Sequence, residues 1–216
     1  MSRPHVRRTR GRVVASVLGL TLAAAGTGCT SGSTPSAEPA GDATSGRSTG
    51  SPAVPAPRSV PLRVEVTHVA GKLPARDRRL VADRVGRALS AYVDAAFLGG
   101  AYPRSDFARS FGAFTDGGAR QARGDTALLT NQPLGATTRT VQATRRTAYL
   151  SMLAPKGTVA GVTAAVDLVF RVDRGPRPGR RVHLKGRLLL TKDRSGGWGI
   201  FGYDLSRSSK PLRAAS

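Results

Sequence analysis

Few side chains in this 216-residue sequence could act as nucleophiles, metal ligands or redox groups. Cys29 is the only cysteine, and the three histidines are His5, His68 and His183. Because Cys29 lies outside the segment that we expect to fold, the folded part is predicted to have neither a disulfide framework nor a thiol nucleophile. The sequence therefore predicts no metal site and no cofactor, and lipidation is the better explanation of Cys29.

Residues 1–28 have the pattern of a signal peptide. A basic segment at residues 3–12 precedes an apolar stretch at residues 13–25. A transmembrane helix needs about 20 apolar residues, so this stretch is too short to span a bilayer. Arg7 and Arg8 also allow a twin-arginine interpretation, and the sequence leaves the export route open.

Gly26, Thr27, Gly28 and Cys29 follow the apolar stretch, and they resemble the lipobox of bacterial lipoproteins. In that family, small residues precede a cysteine that is diacylated and becomes the new N-terminus. The resemblance implies cleavage before Cys29 and lipid attachment there, which would hold the chain at the cell membrane on its extracytoplasmic face. The alternative is that Cys29 is incidental and that a general signal peptidase cuts nearby.

Residues 29–60 are rich in Ser, Thr, Gly, Pro and Ala and contain no aromatic residue. Such a segment cannot bury enough apolar surface to offset the entropy of ordering, so we predict a lipidated, disordered stalk. As a flexible coil, the stalk would have an end-to-end distance of about 30 Å, which exceeds the Debye length of about 8 Å at physiological salt. Contact between the domain and the membrane would then be intermittent or driven by a partner.

Residues 61–216 are predicted to form one globular domain, long enough to bury a core without a disulfide or a metal. Residues 62–69 alternate apolar and polar side chains as a half-buried strand does, with His68 in the polar set. The longest predicted helix opens at Pro74 and closes at Gly99-Gly100, with apolar residues at spacings of three and four. Its buried stripe is predicted to contain Leu80, Val81, Val85, Leu89, Tyr92, Val93, Ala96 and Phe97.

Two shorter helices and a run of strands are predicted after the long helix. Ser105 would cap a helix that ends at Phe111, and a third helix would run over residues 116–130 and stop before Pro133. The four strands are predicted at residues 138–153, 158–172, 181–191 and 198–205, separated by turns rich in Gly and Pro. The predicted fold class is α+β, with helices on one face of a four-stranded antiparallel sheet and an additional N-terminal strand.

This order of helices followed by a meander, with a closing strand that begins Gly197-Trp198-Gly199-Ile200, resembles the nuclear transport factor two-like superfamily. The resemblance covers about residues 74–205 and includes the envelope-associated members found in actinobacteria. It implies a cystatin-like cone fold, in which helices pack on a curved sheet. Some relatives are isomerases or dehydratases that place an Asp, a Tyr or a His in a cavity.

Asp167, Tyr149 and His183 are the candidates for such a role in this chain. The strand alternation places Asp167 on the face opposite Val166 and Leu168, which favours a surface carboxylate, and we expect it beside Arg171. A buried Asp167 facing a pocket would instead favour an enzyme, because desolvation raises the pKa of a carboxyl group.

The chain has a formal net charge of +21, and its densest basic run in the domain is Asp173-Arg174-Gly175-Pro176-Arg177-Pro178-Gly179-Arg180-Arg181. Two prolines and two glycines should keep this loop off the sheet, so that Arg174, Arg177, Arg180 and Arg181 project from one end of the domain. One interpretation is a docking surface for anionic lipid headgroups or acidic wall polymers. The other is a solvated turn in a protein whose composition is biased toward arginine.

The sequence thus leads to one main functional expectation and one alternative. The main expectation is a membrane-anchored, extracytoplasmic lipoprotein that serves as a non-catalytic binding or assembly module of the cell envelope, with a lipid, a wall polymer or an envelope protein as its partner. The alternative is a cone-fold enzyme, isomerase-like or dehydratase-like, that acts on a small apolar ligand. Nucleic-acid binding is not predicted, because aromatic residues are few and are not interleaved with the basic ones.

Overall fold

The computed structural model describes residues 59–193 and 195–212. The predicted leader, Cys29 and the predicted stalk up to residue 58 lie outside the described residues. The helical segments are α1 (Ala75–Val93), a π-helical turn (Asp94–Leu98), a 3-10 turn (Ala108–Phe111), α2 (Asp116–Gly124), α3 (Thr126–Leu129) and α4 (Gln132–Gly135). The strands are β1 (Arg63–Gly71), β2 (Thr140–Ala154), β3 (Gly161–Arg174), β4 (Arg177–Lys192) and β5 (Trp198–Pro211), with a 3-10 turn (Pro155–Gly157) between β2 and β3. The predicted α+β class is confirmed.

The five strands form one mixed sheet in the order β1-β2-β3-β4-β5, so β1 and β5 lie at its edges. Strands β2 to β5 form the expected antiparallel meander, whereas β1 pairs with β2 in parallel. The prediction of a four-stranded antiparallel sheet is therefore wrong in strand count, because the N-terminal strand is a full member of the sheet. Parallel neighbours need a long crossover connection, and the helical region supplies it.

One face of the sheet, which we call the inner face, packs against α1 and the π-helical turn. Its residues on β3 alternate with polar or half-buried ones and are all buried, namely Val162, Ala164, Val166, Leu168, Phe170 and Val172. The ring of Phe97 stacks on Phe170 at 4.5 Å between centroids, and Tyr92 meets Phe114 edge to face at 5.2 Å. These aromatic rings occupy the space between the helices and the sheet.

Most of the predicted stripe on α1 is buried, including Val85, Leu89, Tyr92 and Val93. Val81 is half-buried, and Leu80 is 45% exposed. Leu80 lies near the start of α1 in an open groove that Trp198 also lines. The prediction that Leu80 belongs to the core is wrong.

The short helices differ from their predictions in both position and length. Ser105 caps no helix, since the 3-10 turn begins at Ala108, whose N–H donates to Asp106 Oδ1 at 2.8 Å. The third predicted helix breaks at Asp125 into α2 and α3, directly after Gly124, a residue of low helix propensity. Pro133 does not stop a helix but lies in the first turn of α4, where its missing N–H has no intrahelical partner to lose.

Candidate functional site

We call the face of the sheet that points away from α1 the outer face. It carries rows of cationic side chains and the three predicted catalytic candidates. The strand register arranges them in rows across the sheet. Arg171 on β3 lies opposite Arg181 on β4, which lies opposite Lys210 on β5. We call this end of the sheet the basic end and define it by Arg139, Arg171, Arg174, Arg177, Arg180, Arg181 and Lys210.

Among the described residues, no cation of the basic end forms an ion pair. Arg174 Nε donates to Thr137 Oγ1 at 3.1 Å, and Arg180 donates to the hydroxyl and the carbonyl of Ser209 at 3.0 and 2.8 Å. The adjoining carboxylate, Asp173, accepts a hydrogen bond from the N–H of Gly175. The local positive charge is therefore not neutralised by the described part of the chain.

The predicted Arg-rich loop is much shorter than expected. Arg174 already pairs with Arg177, so only Gly175 and Pro176 connect β3 to β4, with Gly175 at φ 63°. Pro178 is tolerated within β4 because it lies at a register irregularity, where a ladder hydrogen bond is not required. The prediction that this segment stays off the sheet is wrong, because Arg174 ends β3 and the other three predicted arginines lie in the first residues of β4.

Asp167 joins two cationic or titratable partners on neighbouring strands of the outer face. Its Oδ2 accepts from Arg145 Nη1 at 2.9 Å, and its Oδ1 lies 2.7 Å from His183 Nε2. Its position opposite Val166 and Leu168 is as predicted, but the expected neighbour Arg171 is not its partner.

An aspartate beside a histidine can take part in general acid–base catalysis. The pKa of Asp167 decides whether it could donate a proton here. Desolvation raises the pKa of Asp167, but hydrogen bonds from Arg145 and His183 outweigh it, and the net pKa lies below its ordinary value of 3.8. Asp167 is thus held as a carboxylate that links β2, β3 and β4. This environment does not favour use of Asp167 as a general acid.

Tyr149, the third predicted catalytic candidate, lies apart from the other two. It pairs with Ala165, whereas Asp167 pairs with Thr147 one row away. It is 44% exposed on the outer face. The structure thus brings Asp167 and His183 together and leaves Tyr149 in the next row.

The opposite end of the outer face holds an open groove of about 440 Å³ that the sequence analysis missed. Side chains of the outer face that line this outer groove include His68, Ala70, Ser151, Leu153, Thr163, Leu189 and Phe201. One signal was available in the sequence, because the run Leu188-Leu189-Leu190 breaks the apolar-polar alternation. The alternation keeps Leu188 and Leu190 buried and turns Leu189 to the outer face, where it lines the groove.

Two other kinds of site are absent from residues 59–193 and 195–212. No helix there is both long enough and apolar enough to cross a membrane. No cluster of three or more His, Cys, Asp or Glu side chains there could hold a metal ion.

Comparison with known proteins does not assign the chain to a family: no family model, no curated protein and no solved structure matches it. The resemblance to the nuclear transport factor two-like superfamily, and the cone-like curvature that it implies, therefore stay predictions.

Proposed function

We propose that this chain is a membrane-anchored, extracytoplasmic lipoprotein and a non-catalytic binding module of the cell envelope, and that its basic end docks on an anionic wall polymer. The observation that carries the proposal is the concentration, at one end of the sheet, of cations that form no ion pair within residues 59–193 and 195–212, with Asp173 as the adjoining acid.

The spacing of these cations suits a polymer with repeated negative charges. Neighbouring strands lie about 4.8 Å apart, so Arg171, Arg181 and Lys210 form a row in which each member is within a Debye length of the next. Their mutual repulsion is relieved when an anion binds. A chain of phosphate or carboxylate groups can contact several of them at once, which favours a polymer over a single small anion.

The point at which the chain enters the domain also supports the proposal. The N–H of Val60 donates to the carbonyl of Ala143 at 3.0 Å, and the N–H of Ala143 donates to Ser59 Oγ at 3.0 Å. Ala143 pairs with Phe170, the residue before Arg171. A stalk that leads from a lipid anchor to Ser59 would therefore join the domain beside its basic end and keep that end near the wall layer next to the membrane.

The alternative function, a cone-fold enzyme acting on a small apolar ligand, has less support. Asp167 and His183 lie half-buried on the outer face rather than in an enclosed cavity. Aromatic rings pack between the helices and the inner face, in the space that a ligand cavity between these two layers would need. The lowered pKa of Asp167 also favours a structural carboxylate over a proton donor.

The anchor is tested by the substitution Cys29→Ser. Because Cys29 is the only cysteine and so the only thiol that could be acylated, the variant should move from the membrane fraction to the soluble fraction. The measurement is fractionation of cells together with incorporation of labelled fatty acid. Membrane retention of the variant, with no label on the natural chain, would overturn the anchor.

The docking surface is tested in the full chain that carries Cys29→Ser, so that the lipid does not contribute. Changing Arg171, Arg177, Arg181 and Lys210 to Gln should weaken cosedimentation with purified anionic wall polymer at least about tenfold, since each basic residue near an anionic surface contributes about 1 kcal/mol. The matched control removes the same charge from α1, where Arg76, Arg78, Arg79 and Arg87 are exposed.

Binding to the polymer should also fall as the salt concentration rises. Equal losses in the two quadruple variants would mean that net charge, and not the basic end, governs binding. Binding to anionic vesicles but not to the polymer would replace the wall polymer with a lipid surface as the partner.

A further inference from the structure

We propose that the outer groove binds a single-chain anionic amphiphile, with the acyl chain in the groove and the anionic head group beside Arg187 and Lys185. This site lies at the other end of the outer face from the basic end. The proposal rests on a separate set of residues and does not depend on the docking function proposed above.

The apolar part of the site is exposed to solvent. Leu153 is 55% exposed and Phe201 is 46% exposed, and both line the groove with Leu189. Contiguous exposed apolar surface on a soluble domain commonly marks a binding site. The groove volume of about 440 Å³ falls within the range of about 300–1,000 Å³ that is usual for small-molecule sites.

Two cationic side chains on β4 lie next to the groove. Successive outer-face positions on this strand are Leu189, Arg187 and Lys185, each about 6.6 Å from the next. Both cations are exposed, and neither forms an ion pair among the described residues. Asp204 lies opposite Arg187 in the register without closing a salt bridge to it.

This order of apolar and cationic positions matches one class of ligand. An uncharged apolar molecule would fill the groove but would make no use of Arg187 and Lys185. A second copy of the chain would bring its own surplus of cations against the same face, and like charges repel. An acyl chain that ends in a carboxylate, sulfate or phosphate places an apolar body on Leu153, Leu189 and Phe201 and a negative charge at the next row.

The groove is tested by equilibrium dialysis of the full chain carrying Cys29→Ser against radiolabelled palmitate, below the concentration at which palmitate forms micelles. We expect saturable binding of one palmitate per chain. The double variant Leu153→Ser with Phe201→Ser should lower the affinity at least about tenfold, because it removes apolar surface that the acyl chain would bury. Leu80→Ser, which removes a leucine that is 45% exposed on α1, should leave the affinity unchanged.

The head-group contact is tested by Arg187→Gln, with Arg171→Gln at the basic end as its control. Arg187→Gln should weaken palmitate binding severalfold while leaving the binding of hexadecanol, which has the same chain length and no charge, unchanged. Circular dichroism of each variant establishes that its fold is retained.

Absence of saturable palmitate binding would overturn the proposal, and so would equal affinities of the natural chain for palmitate and hexadecanol. Binding to anionic vesicles that requires Leu153 and Phe201, without binding of monomeric palmitate, would assign the face to a bilayer surface instead.

Discussion

Arg145 and Arg146 are neighbours on β2, but their side chains point to opposite faces of the sheet and have different surroundings. Arg146 lies on the inner face, is 7% exposed, and donates to Asp94 at 3.0 Å and to Ser90 at 2.9 Å. Arg145 lies on the outer face with 58% of its side chain exposed, and it pairs with Asp167 at 2.9 Å. The inner arginine is part of the core, whereas the outer one belongs to a solvated surface.

The same contrast separates the two faces as a whole. The inner face holds mainly apolar side chains, and its arginines have partners, as Arg146 has in Asp94 and Arg207 has in the carbonyls of Ala127 and Thr130. The outer face holds cations such as Arg171, Arg181 and Arg187 that make no ion pair among the described residues. Net charge by itself therefore says little about function. The position of each charge on the sheet, and whether it has a partner, separates structural arginines from those available to a ligand.

Two leucines on β2 provide the strongest test of the difference between the faces. Leu150 is fully buried on the inner face, and Leu153 is 55% exposed on the outer face. Leu150→Ala should lower the free energy of unfolding by about 2–5 kcal/mol, because it removes buried methyl groups and leaves a cavity. Leu153→Ala should change it by less than about 0.5 kcal/mol. Urea denaturation of the two variants measures both values, and similar losses would contradict the assignment of faces.

Substitution of the aspartates that pair with Arg146 and Arg145 should also cost more free energy of unfolding on the inner face than on the outer face. The difference should be smaller than for the two leucines. Asp94→Asn leaves the buried Arg146 guanidinium beside a neutral acceptor, and it should lower the free energy of unfolding by about 1–3 kcal/mol. This is less than for a fully buried pair, because the Asp94 side chain is 51% exposed. Asp167→Asn breaks a more exposed pair and should lower the free energy of unfolding by no more than about 1 kcal/mol.

The effect of Asp167→Asn on the free energy of unfolding should depend on pH. The pKa of Asp167 is lower in the folded protein than its ordinary value of 3.8. The carboxylate therefore contributes fully to the free energy of unfolding above pH 3.8, and this contribution is lost as the pH falls through the folded-state pKa. The difference in unfolding free energy between the natural chain and Asp167→Asn should therefore shrink as the solution is made more acidic. A difference that grows toward low pH would mean that Asp167 is not stabilised as a carboxylate.

Elements governed by local pattern could be predicted from the sequence. The alternation on β3 identifies its buried face correctly, and the spacing of Val85, Leu89 and Tyr92 identifies the buried stripe of α1. The Gly-rich and Pro-rich segments mark where the connections between strands lie, although the segment at residues 175–179 extends beyond its connection into β4. These features depend on neighbours within a few residues, so the sequence itself contains the information.

Features that depend on which strands become neighbours could not be predicted. Nothing local in the sequence shows that β1 pairs with β2, or that Arg145, Asp167 and His183 from three strands meet. Pro178 favoured a loop, but at a register irregularity its missing N–H is no obstacle to a strand. Phe201 gave no sign of lining a groove, because the irregularity beside it in the β4–β5 pairing resets the alternation.

The parallel pairing of β1 with β2 has a consequence for the order in which the domain folds. Chains are synthesised from the N-terminus, so β1 is available before β2, its neighbour among the described strands, and the whole helical region must follow before β2 exists. The local hairpins β2–β3, β3–β4 and β4–β5 close short loops, whereas docking of β1 closes a long one at a larger entropic cost. We therefore expect β1, the first of the described strands to be made, to be the last to join the sheet, with its backbone hydrogen-bonding groups open to water until then.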